Sequence, residues 1–155
     1  MMRIAEANPM DRGLFERILS VQFDSYKVES ELIDYPNFPP LWQTVEQLQE
    51  SGEKFLVCLL DEEVVGATSY SLESDAADIC RLVVSPRHFG KKIGTQLVLR
   101  VEEHLAPPIR RITVSTAWKN TPAIRLYEKC GYSISKRWFL PDGLELVGLE
   151  KKITS

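Results

Sequence analysis

Hydrophobic residues recur along the chain with two spacings, every second residue in some segments and every third or fourth in others. Short runs of β-branched and apolar residues, each bounded by turn residues, predict strands. These runs occupy residues 2–7, 55–60, 64–72, 76–84, 110–116, 132–139 and 144–153. Apolar residues spaced three or four apart predict helices. These helices begin near residues 11, 41, 93 and 121.

Local signals place the ends of several elements. The second helix is expected to close at Ser51-Gly52, because glycine favours the conformation that ends a helix. The last helix is expected to have Thr121 as its N-cap and Pro122 as its first helical residue. Residues 23–40 lose the helical pattern and contain many acidic, aromatic and proline residues, so we interpret them as a loop.

The order of the elements predicts a mixed sheet. Residues 55–84 read as three strands joined by two turns, which predicts an antiparallel meander. The helix near residue 93 joins the strands at 76–84 and 110–116, which makes a parallel, right-handed βαβ unit. We therefore expect an α/β protein of the α+β type, a single domain over residues 1–155. Its mostly antiparallel sheet of about seven strands would hold one central parallel pair, packed by about four helices.

Composition excludes several functional classes. The formal net charge of −3 argues against general nucleic-acid binding. No apolar run approaches the roughly 20 residues of a membrane helix, and the first residues lack the apolar segment of a signal peptide, so we expect a cytoplasmic protein with no membrane partner. Cys58, Cys80 and Cys130 are interpreted as reduced, buried residues, and the spacing of histidines and cysteines predicts no metal site.

A basic loop at residues 88–94 separates the strand at 76–84 from the following helix. Free amides at a helix start, together with the helix dipole, attract anions such as phosphate. Gly90 and Gly94 would let a ligand approach the backbone, and Lys91 and Lys92 add positive charge. The sequence therefore predicts a pyrophosphate cradle, with an ordinary solvated connection as the alternative.

Two separated segments together resemble the GNAT superfamily of N-acetyltransferases. The first, Leu82-Val-Val-Ser-Pro-Arg-His-Phe-Gly-Lys-Lys-Ile-Gly94, is similar to that family's strand and Gln/Arg-x-x-Gly-x-Gly/Ala loop. The second, Asn120-Thr-Pro-Ala-Ile-Arg-Leu-Tyr-Glu-Lys-Cys-Gly-Tyr132, is similar to its Asn-x-x-Ala-x-x-Leu-Tyr-Glu-Lys-x-Gly-Phe/Tyr signature. Phe89 and Lys92 depart from the first pattern, where Gln or Arg and glycine are usual.

The resemblance implies that acetyl-CoA binds as co-substrate, with its pantetheine arm between two diverging parallel strands. The backbone of Leu82 and Val84 would bond that arm, and an amide near Val83 or Val84 would polarise the thioester carbonyl. Asn120 would reach the arm or cap its own helix. The pyrophosphate would lie on backbone amides of the loop, at Phe89, Gly90, Lys91, Lys92, Ile93, Gly94 and Thr95.

The resemblance also implies two catalytic residues. Tyr127 would act as the acid that protonates the leaving thiolate, since a tyrosine stays protonated at neutral pH. Asp78 would act as the base that deprotonates the amine, with a solvent-exposed structural residue or a water relay through Glu73 and Asp75 as alternatives. Cys80 is interpreted as a core residue, because direct transfer needs no acyl-enzyme.

The acceptor end of the family's site involves the first two helices and their connection. Carboxylates and aromatic rings in residues 24–42 would suit a cationic amine, although a solvated loop anchored by aromatic residues explains them too. We therefore predict an acetyl-CoA-dependent N-acetyltransferase that acts on a small-molecule or peptide amine by direct attack in a ternary complex. A non-catalytic acyl-CoA-binding module and a protein lysine or N-terminal acetyltransferase are the alternatives. A homodimer built on the last strands also remains open.

Overall fold

A computed structural model describes residues 1–153 as one seven-stranded sheet with helices on both faces. The helices are α1 (Arg12–Leu32), α2 (Val45–Gln49), α3 (Ile93–Glu103) and α4 (Thr121–Lys129). The strands are β1 (Met2–Glu6), β2 (Lys54–Leu60), β3 (Glu63–Glu73), β4 (Ala76–Val84), β5 (Arg111–Ala117), β6 (Ser133–Phe139) and β7 (Glu145–Lys152). Their order in the sheet is β1-β2-β3-β4-β5-β7-β6.

The predicted topology is confirmed. Strands β2, β3 and β4 form the antiparallel meander, and α3 crosses from β4 to the parallel neighbour β5. The two faces of the sheet bury two apolar clusters. Leu97 and Val101 of α3 are fully buried in one cluster, and Phe15 and Ile18 of α1 are buried in the other. Burial of these amphipathic stripes on the sheet stabilises the layered arrangement.

The loop prediction for residues 23–40 is wrong over its first part, because α1 continues to Leu32. The buried face of this extension is polar and aromatic: Gln22, Tyr26 and Ser30 recur every fourth residue and are each at most 7% exposed. A count of apolar positions misses such a face. The extension carries residues 24–32 along the sheet towards β4.

Two smaller expectations also need correction. The N-cap of α4 is Asn120, whose Oδ1 accepts a hydrogen bond from the Ala123 amide at 3.2 Å, so Thr121 is already helical. The second helix begins at Val45 with Thr44 as its N-cap, and Leu41 lies in a short 3₁₀ helix, Pro39–Trp42. Asn120 and Thr121 are both residue types that favour the N-cap position, and the structure has Asn120 there.

Candidate active site

Strands β4 and β5 pair over only part of their length. Their parallel register runs from Ala76 opposite Arg111 to Ile79 opposite Val114. Beyond this point β4 continues to Val84 and β5 to Ala117, and no pairing joins them there. The two strands therefore leave a gap where no neighbouring strand pairs with the backbone of β4, which is an arrangement that accepts an extended ligand by β-strand addition.

A β-bulge explains where the strands separate. Ser69 of β3 lies opposite Arg81, whereas the next residue, Tyr70, lies opposite Ile79, so Cys80 is the extra residue on β4. A bulge bends its strand and increases the local twist. Because the bulge directly follows Ile79, the last residue of β4 that pairs with β5, the bend turns β4 away from β5 at that point.

The gap opens into a cleft of about 290 Å³ between α1, α4 and the two strands. Its lining comprises Tyr26, Glu29, Ile33, Phe38, Pro40, Ile79, Cys80, Arg81, Leu82, Val114, Ser115, Thr116, Ala117, Asn120, Ala123, Tyr127, Leu144 and Leu146. Three of the residues singled out from the sequence, Leu82, Asn120 and Tyr127, thus meet in one place. A larger cavity of about 740 Å³ lies beside α2 and the loop after α3, but contains none of the predicted site residues.

The loop after β4 presents free amides at the start of α3. Lys92 is the N-cap, and no side chain caps this end of the helix. The residue adopts a left-handed conformation (φ 61°), which explains why glycine is usual at this place in the motif that it resembles. The Lys91 and Lys92 side chains are exposed. An anion at the helix start would therefore meet unpaired amides without obstruction from a capping side chain.

The two glycines of the loop have different roles. Gly90 has a φ of +83°, and a Cβ there would meet no atom within 4 Å, so its conformation rather than its size is needed. Gly94 is buried, and a Cβ there would lie 3.0 Å from Leu126 Cδ1. Gly94 therefore allows α3 to pack closely against α4, which carries Tyr127.

Helix α4 places Asn120 and Tyr127 in the cleft. Its first turn is fixed by the Asn120 cap, and Tyr127 lies two turns further along. Tyr127 is 4% exposed, and its ring packs against the Tyr132 ring at 5.6 Å between centroids. Burial raises the pKa of Tyr127 well above its usual value, with the nearby hydroxyls and Glu29 adding to the shift. The phenol is therefore a proton donor at every physiological pH.

Helix α1 supplies the opposite wall of the cleft. Tyr26, Glu29 and Ile33 are three and four residues apart, so the same face of the helix presents all three to the cleft. Burial raises the pKa of the Glu29 carboxyl to about 7, and a hydrogen bond from the Asn120 side chain partly offsets this. The Val84 amide donates to Ser25 Oγ at 3.3 Å, which ties α1 to the separated end of β4.

Asp78 lies outside the cleft lining, on an exposed position of β4. Its Oδ1 accepts a hydrogen bond of 2.6 Å from the hydroxyl of Thr113 on the neighbouring strand. Cys80 is also exposed, which corrects the expectation that all three cysteines are buried, whereas Cys58 and Cys130 do lie inside. The exposure of Cys80 follows the alternation along this part of β4, where Ala77 and Ile79 are buried and Asp78 and Cys80 are exposed.

A buried ion pair supports the floor of the cleft. Arg81 of β4 donates to Glu53 at 2.8 Å and 3.2 Å, and also to the amide oxygens of Gln22 and Gln43. Ser69 donates a further hydrogen bond of 2.6 Å to Glu53. The network joins α1, the segments flanking α2, and strands β3 and β4. The position of α1 over β4 therefore depends on it.

A family model described as the acetyltransferase (GNAT) family matches residues 15–132 of this chain, which include both the loop after β4 and helix α4. The chain belongs to the GNAT acetyltransferase family. Within residues 1–153, this family member has no cluster of three or more histidine, cysteine or acidic side chains placed to hold a metal ion. None of the helices in the same residues is both long and apolar enough to span a bilayer.

Two curated proteins match parts of the chain. The chain is 36% identical over 129 residues to UPF0157 protein YqkA of Bacillus subtilis (strain 168), a match that covers 83% of this chain and 37% of that protein. It is 34% identical over 77 residues to a streptothricin acetyltransferase of Escherichia coli, which covers 48% of this chain and 44% of that protein. The chain thus spans less than half of the length of each of these relatives.

Solved structures share the fold. The ribosomal-protein-S18-alanine N-acetyltransferase from Escherichia coli superimposes with a TM-score of 0.78 at 14% identity, covering 100% of this chain and 96% of that one. The PaiA N-acetyltransferase from Thermoplasma acidophilum, in complex with coenzyme A, gives a TM-score of 0.72 at 20% identity, covering 99% of both chains. At these identities the likeness establishes the fold of the chain alone.

Glu29 is a residue of the cleft lining whose place the sequence misjudges. Its charge suggests a contribution to acceptor binding, but the loop assigned to residues 23–40 hides its helical position. The repeat of Gln22, Tyr26 and Ser30 every four residues is a signal that could have revealed the helix, because all three can pack against a sheet while meeting their hydrogen-bonding needs.

Proposed function

We propose that this acetyltransferase moves the acetyl group of acetyl-CoA to a primary amine of a small molecule or peptide, by direct attack within a ternary complex. The observation that carries the proposal is the gap between β4 and β5, whose cleft holds Leu82, Asn120 and Tyr127. The uncapped start of α3 lies beside this end of β4, where a Cβ at Gly94 would be 3.8 Å from both Leu82 and Val84. A thioester on a long, flexible arm that ends in phosphates matches this arrangement in both shape and charge.

In the proposed complex the backbone of Leu82 and Val84 pairs with the pantetheine arm, and an amide near Val83 or Val84 faces the thioester carbonyl. The Val84 amide exchanges its bond to Ser25 Oγ for one to the substrate. The pyrophosphate lies on the loop amides from Phe89 to Thr95, beside the exposed Lys91 and Lys92. These contacts would hold the acetyl carbon in the cleft, within reach of an amine that enters beside α1.

Chemistry at the cleft needs an acid and a base. Tyr127 is the proposed acid, because its raised pKa keeps it protonated while the thiolate leaves. For the base, the resemblance suggests Asp78 or a water relay. Asp78 lies outside the cleft lining and is engaged by Thr113, so from this position it would have to act through water. Its role stays a prediction.

Assays with a panel of amines test which class of acceptor the protein uses. The names of related proteins include streptothricin as well as the alanine of a ribosomal protein, so the panel should contain polyamines, aminoglycosides, streptothricin, amino acids, and peptides with a free N-terminus or lysine. We expect release of coenzyme A thiol with at least one of these amines, and a mass increase of one acetyl group on that amine. Tight binding of coenzyme A without turnover on any amine would favour the acyl-CoA-binding module instead.

Replacement of Cys80 tests direct attack. Partial burial raises the pKa of its thiol, which disfavours the thiolate that an acyl-enzyme would require. We expect Cys80→Ala to keep kcat within about threefold of the wild-type value. Intact mass spectrometry of the enzyme with acetyl-CoA alone should show no added acetyl group. An acetylated Cys80 and loss of turnover in the alanine variant would indicate a two-step reaction through this thiol.

A further inference from the structure

The cleft contains a single carboxylate. Among the described residues that line it, Glu29 is the one acidic side chain, and it shares the cleft with Tyr127 and Asn120. Its neighbours on the lining are mainly apolar or aromatic, including Tyr26, Ile33 and Phe38. A carboxylate in such surroundings is poorly solvated and gains when a cation or a proton reaches it.

No cation of residues 1–153 neutralises Glu29. The guanidinium of Arg81 also lines the cleft but is engaged by Glu53, Gln22 and Gln43. The remaining titratable groups on the facing elements are the Tyr26 and Tyr127 hydroxyls and the Cys80 thiol, all with raised pKa values and therefore neutral near pH 7. Glu29 is thus the group in the cleft that changes charge near neutral pH.

Resting on the proposed function, we infer that Glu29 is the catalytic base, receiving the acceptor as an ammonium ion and removing its proton. Helix α1 holds the carboxyl on the wall opposite Tyr127, and the two side chains enclose the space that an attacking amine would occupy. Asp78 would then have no direct part in the chemistry, in keeping with its place outside the lining.

In the proposed reaction, proton transfer to Glu29 precedes attack on the thioester. The ammonium gives one proton to the Glu29 carboxylate, and the free amine attacks the thioester carbon. The C–N bond forms, the C–S bond breaks, and the Tyr127 phenol gives its proton to the departing sulfur. The second proton of the attacking nitrogen restores the phenol, and Glu29 releases its proton to solvent. The net result is one amide, one thiol and one proton from an ammonium ion and a thioester.

The pH dependence of turnover distinguishes this role from a structural one. With Glu29 as base, kcat should rise with pH and level off above about pH 7, where the carboxyl is ionised. In Glu29→Gln the amine must lose its proton to solvent, so kcat should be about a hundredfold lower at pH 7. The kcat of this variant should continue to rise as the pH approaches the amine's pKa near 10. The difference in kcat between the variant and the wild type should therefore shrink at high pH.

The experiment measures kcat from pH 5.5 to 9.5 for the wild type, Glu29→Gln, Asp78→Asn and Glu31→Gln, with coenzyme A affinity by calorimetry for each. Glu31→Gln is the matched control, because this glutamate lies two residues away on α1, is exposed and does not line the cleft. We expect it to keep both the wild-type rate and profile, and all four proteins to bind coenzyme A within about threefold of one another.

The inference alone would be overturned by a wild-type profile in Glu29→Gln, or by the loss of the pH 7 transition in Asp78→Asn instead. A Glu29→Gln deficit that stays constant at every pH would also overturn it, since that indicates a structural effect. A wild-type protein that acetylates no amine would refute the proposed function, and this inference with it.

Discussion

Replacing Tyr127 with phenylalanine is expected to lower kcat about a hundredfold to a thousandfold, while coenzyme A affinity stays within about threefold of the wild-type value. The departing sulfur of coenzyme A needs a proton at neutral pH, and the Tyr127 phenol, which lines the cleft, is the proposed donor. Steady-state rates with the best amine of the panel, together with calorimetry for coenzyme A, would measure both quantities.

Tyr132→Phe provides the matched control for this substitution. Its ring contacts that of Tyr127, it is buried to a similar extent, and its hydroxyl lies beside Glu102 rather than in the cleft. We expect this variant to keep kcat within about threefold of the wild-type value. An unchanged kcat in Tyr127→Phe, or an equal loss in Tyr132→Phe, would contradict the role of Tyr127 as the acid.

Replacing Arg81 with methionine is expected to reduce the free energy of unfolding by about 3–5 kcal/mol at pH 7, because Glu53 then remains charged and without its partner in a mostly buried place. Chemical denaturation followed by fluorescence measures this loss. Arg87→Met is the control, since the Arg87–Glu63 ion pair lies on the surface and its loss should change stability by about 1 kcal/mol or less.

The loss of stability in Arg81→Met is expected to become smaller as the pH falls. Burial alone would raise the pKa of Glu53, but hydrogen bonds from Arg81 and Ser69 hold the pKa below its usual value. A carboxyl with a lowered pKa in the folded state stabilises the fold above its unfolded pKa, and this contribution is lost as the pH falls through the folded value. The difference between wild type and Arg81→Met should therefore shrink from pH 7 to pH 4. A difference that stays constant would contradict the assigned ion pair.

The order of strands and helices could be read from the sequence because each element carries its own local signal. Alternating apolar residues between turn sequences identified the meander, and the stripe of Leu97 and Val101 identified the crossover helix. The error at residues 23–32 has a physical cause. The buried face of this part of α1 continues from Gln22 through Tyr26 and Ser30. Hydrophobic periodicity does not detect polar residues that are buried with hydrogen-bond partners.

The sequence could predict the place of the candidate site only where its residues lie on contiguous segments. The loop after β4 and the helix with Tyr127 each carry a motif, and their roles rest on the local geometry of a helix start and a helix cap. Glu29 belongs to neither motif. Its place opposite Tyr127 depends on how α1 crosses the sheet, which involves contacts between residues far apart in the chain.

The sequence alone determined the order of strands and helices and the places of the basic loop and of Tyr127, because turn residues, caps and apolar periods act over a few residues. The tertiary structure alone decided that β4 leaves β5 at Cys80, since a bulge depends on the register of two neighbouring strands. It also decided which carboxylate enters the cleft. Burial and the surrounding groups, rather than residue type, set the proton affinity of Glu29 near neutrality.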